Sequence, residues 1–434
     1  MQAGGGESPA SREQLPPRRG GHRAAPGGEG EPRDAAVGVR RCGWTSTLRR
    51  ARLRAVPGRE ERLVAFSCKG RGVCPSCNAR RAHDTAIHLT RDVLPTAPYR
   101  QWTLSFPIQL RFLLARDAAL LSEVLGLFVR ALFAFQRRTA RRLGGRAPSS
   151  GAVAFVQRFG SALQLTPHFH VLVPEGVFEQ ASSGSPPRLC LLPPPEDEEV
   201  EALLRRVALR VVELLRRKGK LEEPQGGEDA LDFLRAQAAR APRLPLALDE
   251  EPRRRGRRCA FLEGFSLHAN TWVHENDRVG VERLCSYGAR GPLSLERLGV
   301  LPDGRLVYRM KRPSSSGAAE LVLSPTAFLR RLAALIPPPR VNLVRFFGVL
   351  APNARLRPLV VPRQPLPPEP APSSPAPAAS PFRLPWAELL KRTFAVDVLT
   401  CLRCGGPRRV VACVFSPAIA ARVLEHPPQL QLYA

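Results

Sequence analysis

The chain has 434 residues, 66 lysines and arginines against 38 acidic residues, and a formal net charge of +28. That length allows two or three domains with a substantial core, and so large a basic excess draws a protein to polyanions, nucleic acid above all. No run of 18 apolar residues and no apolar N-terminal h-region stands in the sequence, which argues against membrane spans and secretion and for a bacterial cytoplasmic, nucleoid-associated protein. Ten cysteines with CxxC pairs point to metal in a reducing compartment rather than to a disulfide scaffold.

Residues 1–59 are rich in Gly, Pro, Arg and Ala with little periodicity, the texture of a disordered basic segment. A small zinc-binding module is expected over 60–95. There Cys74 and Cys77 form a knuckle whose two thiolates chelate one zinc, with Cys68 as third ligand and Cys42 or His83 as fourth. A redox CxxC is the rival, but it would open a helix after a thioredoxin-like strand.

The largest unit runs over 96–361. Residues 99–106 alternate as a half-buried strand. Residues 117–143 carry the longest helical stripe, with arginines in its last turns where the macrodipole favours cations. Residues 152–159 read as a second strand, 182–195 as loop, and 196–218 as an amphipathic helix. A polar insert then carries Arg254 and Arg255 in a run of arginines, candidate phosphate contacts. Residues 261–270 read as a strand, 277–288 as a short helix, 306–310 and 321–323 as a hairpin, and 325–335 as a helix. Residues 362–385 are a Pro/Ala/Ser linker. A small segment, 386–434, holds a second knuckle at Cys401 and Cys404 between a helix over 386–398 and a strand over 409–415.

The densest chemistry lies at Thr166-Pro167-His168-Phe169-His170-Val171-Leu172-Val173. On a short strand His168 and His170 share one face with Leu172, while Phe169, Val171 and Val173 turn into a core. Two imidazoles side by side make half a site for a divalent metal; the bland alternative is two histidines on a solvated strand face, and the segment alone favours neither. Gln157, His268 and Glu296 are candidates for a third ligand.

Of four tyrosines, Tyr99 and Tyr308 sit in strands and Tyr433 in the tail; Tyr287 alone is helical and flanked by basic residues. Arg283, Tyr287 and Arg290 fall at i, i+4 and i+7, on one face. The bland alternative is a half-buried helix tyrosine with its hydroxyl in water. Paired histidines, a tyrosine framed by arginines and heavy positive charge point to a tyrosine attacking a DNA phosphodiester with metal assistance. That attack would leave a 5′-phosphotyrosine and a 3′-hydroxyl.

Several stretches carry a family likeness: Leu63-Val64-Ala65-Phe66-Ser67-Cys68 running into Cys74-Pro75-Ser76-Cys77, Phe155-Val156-Gln157-Arg158-Phe159, Pro167-His168-Phe169-His170, Glu282-Arg283-Leu284-Cys285-Ser286-Tyr287 and Gly348-Val349-Leu350-Ala351-Pro352-Asn353. As an ordered set over about 60–415 they resemble the IS91-type rolling-circle transposases, members of the HUH (His-hydrophobic-His) endonucleases. The resemblance implies an α+β fold: an HUH-endonuclease-like antiparallel sheet with packed helices, preceded by a zinc-binding module that helps recognise the element's ends. It implies magnesium or manganese on His168 and His170, Tyr287 as nucleophile, and single-stranded DNA ends as substrate.

Three departures stand out. Family members often carry two tyrosines four residues apart, but position 283 is arginine, as in a one-tyrosine variant. The further cysteine pair usual before the Leu63 stretch is replaced by Arg49 to Ala55. The first 59 residues and those after Glu425 read unlike the family, as if the gene were degraded or frame-shifted at both ends. An inactive DNA-binding remnant, or a plasmid replication initiator or relaxase with the same chemistry, are the alternatives.

Overall fold

The computed structural model describes residues 50–55, 61–65, 72–180, 185–220, 251–254, 256–311, 313, 317–337, 341–362, 386–395 and 397–414. The chain enters through two antiparallel strands, β1 (Arg50–Ala55) and β2 (Glu61–Ala65). The first of these falls inside the segment expected to be disordered. Its ladder explains why it is ordered: β1 pairs with β2 on one side and on the other with the last strand among the described residues, Arg408–Val414, so its backbone groups are satisfied along both edges. Cys74 then starts α1 (Pro75–Asp92), whose first turn carries a proline, where the missing N–H costs no hydrogen bond.

The main domain opens with β3 (Tyr99–Ser105), α2 (Ile108–Arg116) and α3 (Ala118–Arg142). Asp117 caps α3 by accepting from the backbone N–H of Leu120 at 2.8 Å, and the stripe Leu120, Val124, Phe128 and Leu132 is buried. By length and apolarity α3 alone among the described helices could cross a membrane, but that stripe packs on the sheet, and core burial accounts for its composition. Next come β4 (Gly151–Phe159), β5 (Leu165–Pro174), β6 (Gly176–Glu179), β7 (Arg188–Leu191) and α4 (Asp197–Arg217). The strand β7, which pairs with β6, lies where the sequence reads as loop. A reciprocal capping box between Glu196 and Glu199 starts α4, and Arg216 and Arg217 end it, charges matched to the helix dipole at both ends.

Strands β8 (Arg253–Arg254), β9 (Cys259–Leu262) and β10 (Phe265–Val273) follow. The run expected as one strand over 261–270 is a hairpin, because Glu263 and Gly264 turn it with φ of 45° and 79°. Asp277 then caps α5 (Arg278–Ala289). Beyond it, β11 (Leu298–Val300), β12 (Leu306–Arg309) and β13 (Glu320–Leu323) form a small sheet beside α6 (Pro325–Leu335). The chain re-enters the main sheet as β14 (Val344–Gly348); α7 (Trp386–Phe394) and β15 (Arg408–Val414), the latter paired with β1, follow among the described residues.

Seven strands in the order β14-β4-β5-β3-β10-β9-β8, antiparallel throughout, make the central sheet of an α+β fold. Helices α3 and α4 bury Trp102, Leu104, Phe169 and Val171 on one face. On the opposite face Val281 and Cys285 of α5 and Leu89 of α1 cover Tyr99, Phe155 and Leu172.

A buried ion pair pins the sheet's far end. Arg100, 5 % exposed, donates through Nε to Glu175 at 2.7 Å and through Nη1 to the carbonyl of Ala269 at 2.7 Å, tying β3 to the β5–β6 corner and to β10. Removing one partner of such a pair strands a charge away from water. Glu175→Ala should therefore lower unfolding stability by about 3 kcal/mol or more, read as a drop in the denaturant midpoint at unchanged slope.

Candidate active site

His168 and His170 lie on β5 opposite Gln157 and Phe155 of β4 and opposite Ser105 and Thr103 of β3. Their rings are 4.9 Å apart, centroid to centroid. His168 Nδ1 lies 2.8 Å from the carbonyl oxygen of Thr166, which makes it the donor and leaves the lone pair on Nε2. His170 Nδ1 lies 3.1 Å from the Thr103 hydroxyl, and its Nε2 is buried with no hydrogen-bond partner. Gln157 has the same property: its amide nitrogen donates to the carbonyls of Tyr287 at 2.6 Å and Gly288 at 3.1 Å, while Oε1 is buried and unpartnered. Two imidazoles and a carboxamide oxygen, with His170 Nε2 and Gln157 Oε1 buried and unmatched, suit a divalent cation.

Burial holds both imidazoles below their ordinary range. For His168 desolvation dominates, aided by Arg290 and Arg111; for His170 desolvation, His168 and Arg290 bring the value down to about 3. Both rings are thus neutral near pH 7, the form in which imidazole binds metal.

Tyr287 sits on the same side of the sheet. Its ring centroid is 5.5 Å from that of His170 at 84°, and Tyr287 is 38 % exposed, open to a substrate. The Arg290 guanidinium lies 4.5 Å from the tyrosine ring centroid and the Lys311 ammonium 5.3 Å. The helix comes so close because position 288 has no side chain: a Cβ there would lie 2.5 Å from the Phe155 ring. Arg283 is exposed one turn before Tyr287, 3.8 Å from Asp277.

Other expected site residues lie elsewhere. Arg254 is on β8, engaged by Asp197, Glu198 and Glu201 at 3.4, 2.7 and 2.9 Å; a phosphate would have to displace three carboxylates. Arg255, Cys68 and Cys42 lie outside the described residues. Cys74 and Cys77 stand at the start of α1, both half-buried, so the knuckle opens a helix, and helix opening does not separate a zinc knuckle from a redox pair here. His83 is six residues along that helix from Cys77, about 9 Å of rise, near Glu282 and Arg392 instead. His268 is separated from His170 by Thr103 of the intervening strand, and its Nδ1 lies 3.0 Å from Cys259 Sγ. Glu296 is exposed in a 3-10 turn. No group of three His, Cys, Asp or Glu side chains fit to hold a metal occurs among the described residues. Gln157 falls outside that set of residue types.

Two expectations follow. In metal-free protein the unfolded chain takes up protons on its histidines below about pH 6.5, while the folded His170 stays neutral down to about 3. Stability should therefore fall as pH drops through that window, and His170→Gln should flatten the slope in a pH series of denaturant midpoints. Gly288→Ala should cost about 1–3 kcal/mol by overpacking, seen as a lower melting temperature.

Comparison with protein families bears on the whole arrangement. Residues 151–357 match the family model Y2_Tnp, "Putative transposase", which spans the histidine strand and the tyrosine helix. Residues 31–106 match a transposase zinc-binding domain of the IS91 type; this match starts within the N-terminal segment that reads as unlike the family. No curated protein and no solved structure matches the chain. With a zinc-binding transposase domain leading into a transposase domain along one polypeptide, the chain belongs to the IS91-type transposases and is a DNA transposase.

Proposed function

We propose that this transposase cuts and rejoins single-stranded DNA at the ends of a mobile element, in a rolling-circle mode, with Tyr287 as nucleophile. One observation carries the reading: the Tyr287 ring stands 5.5 Å from His170, on the sheet face where His170 Nε2 and Gln157 Oε1 are buried without partners. In this reading the phenol oxygen of Tyr287 forms a bond to the scissile phosphorus and the bond from phosphorus to the 3′ oxygen breaks. The products are a 5′-phosphotyrosine and a 3′-hydroxyl, the phenol proton passing to solvent and the leaving oxygen gaining one. Attack by a 3′-hydroxyl on the phosphotyrosine reverses the step and joins strands, conserving the phosphodiester's energy without ATP.

Magnesium or manganese held by His168, His170 and Gln157 would polarise the scissile phosphate. Arg290 and Lys311 place two cations beside the phenol, where negative charge builds on the phosphate in the transition state. Arg283, exposed one turn away, tracks the backbone of the entering strand. Cys74 and Cys77, with Cys68, hold zinc in the domain ahead of the sheet, which helps recognise the element's ends. The site of action is the cytoplasm, at the nucleoid.

The decisive assay mixes the protein with a single-stranded oligonucleotide bearing an element end and manganese, and looks for a denaturation-resistant protein–DNA adduct. Wild type should give the adduct and Tyr287→Phe none. No adduct from wild type would defeat the cleavage reading; equal adduct from both proteins would move the nucleophile elsewhere.

A further inference from the structure

A second concentration of charge lies on the other side of the sheet. Between the last turns of α3 and the first half of α4 is a cavity of about 510 Å³, floored by Phe135, Thr139 and Leu203. Arg138, Arg141 and Arg142 line it from α3, and Arg206 faces them from α4. Arg210, one turn after Arg206, and Arg137 are close enough to act on Arg138, whose guanidinium is held below arginine's usual range, by desolvation first and then by these neighbours. The only carboxylate in the lining, Glu199, is already paired with Arg142 at 2.9 Å. Arg138, Arg141, Arg206 and Arg210 have no carboxylate partner among the described residues.

The arginines of α3 have an ordinary reason to be there, since a helix C-terminus favours cations. Those of α4 do not: Arg206 and Arg210 sit mid-helix at i and i+4, where like charges repel. Two helices thus turn their cations toward one another across a groove, an arrangement that disfavours the folded protein by itself and is relieved by a polyanion. The groove is also remote from Tyr287. Helices α3 and α4 cover the sheet face of Phe169 and Val171, and α5 covers the opposite one. With helix and sheet layers packed about 10 Å apart, the two sites lie some 20 Å from each other through the molecule.

We propose that the α3–α4 groove is a second DNA-binding site, taking the sugar-phosphate backbone of a DNA segment other than the one at Tyr287. Arginine's planar fork suits phosphate oxygens, and a cavity of this size admits a phosphate with its sugar. A protein so equipped holds two stretches of DNA at once, one on each face of the sheet. The site stands on its own charges and does not require that Tyr287 cut DNA.

The test uses the full-length chain carrying Arg138→Gln, Arg206→Gln and Arg210→Gln together, beside a second triple variant with lysine at the same positions. Equilibrium binding to a long duplex, a long single strand and a short single strand is measured over a salt series, with inorganic phosphate as competitor. The glutamine variant should bind long DNA at least tenfold more weakly, with a slope of log affinity against log salt shallower by about two to three. The lysine variant should recover most of both. Whichever long DNA shows the loss identifies the segment, duplex or single strand. Adduct formation on the short oligonucleotide should be unchanged, so failure of the cleavage reading and failure of this one are told apart. Wild-type affinity and slope in the glutamine variant would overturn the proposal. So would a melting temperature that falls in both triple variants, because the groove would then be holding the fold rather than DNA.

Discussion

The carboxamide of Gln157 joins two layers of the molecule. Its nitrogen donates to the carbonyls of Tyr287 and Gly288 at the end of α5, and its oxygen faces the histidine side of the sheet without a partner. Helix carbonyls at a C-terminus have no partner within the helix, so a donor from the sheet satisfies them and fixes where the helix ends. The bare Cα of Gly288 against the Phe155 ring lets that bond form at short range. The distance from Tyr287 to His170 follows from these two contacts. Anything that lifts α5 by the size of a methyl group moves the phenol away from the imidazoles.

Burial does the electrostatic work around the histidines. The strand that bears them is covered on both faces, and the loss of solvent, more than any neighbouring charge, keeps the two rings neutral. Arg290 reinforces this while resting on the Tyr287 and Phe159 rings, 4.5 and 5.1 Å from their centroids. A single guanidinium therefore disfavours protonation of the imidazoles and sits beside the phenol. On the proposed reading, both effects serve the same phosphate.

Much of this was legible from the chain, for identifiable reasons. The period-two alternation at 166–173 put both histidines on one face, and the stripes and charged ends of α3 and α4 located those helices to within a residue or two. Tyr287 stands out as a candidate because the other tyrosines fall in sequence stretches read as strands or tail. What escaped depends on contacts distant in sequence or on unmarked turns. Helix α1 begins on the knuckle itself, where cysteine spacing suggests a metal loop. Strand β1 reads R-A-R-L-R-A within an arginine-rich stretch, and only its two ladders reveal it. The β9–β10 turn places a glutamate at positive φ, a position usually marked by Gly or Asn. Arg254 looked available for phosphate because its three carboxylate partners lie more than fifty residues earlier, on and around the start of α4.

The ladder between β1 and β15 has a temporal consequence. Arg50 pairs with Val414 and Ala55 with Arg408, so the small sheet beside the zinc-binding region needs a strand made more than three hundred and fifty residues after its central one. Contacts so distant in sequence form late, after the intervening chain has been ordered. During synthesis β1 has β2 on one edge and an open edge on the other until the ribosome has released residue 414. The half-made polypeptide thus carries a strand awaiting its mate, and this small sheet is complete only once residues 408–414 have been made.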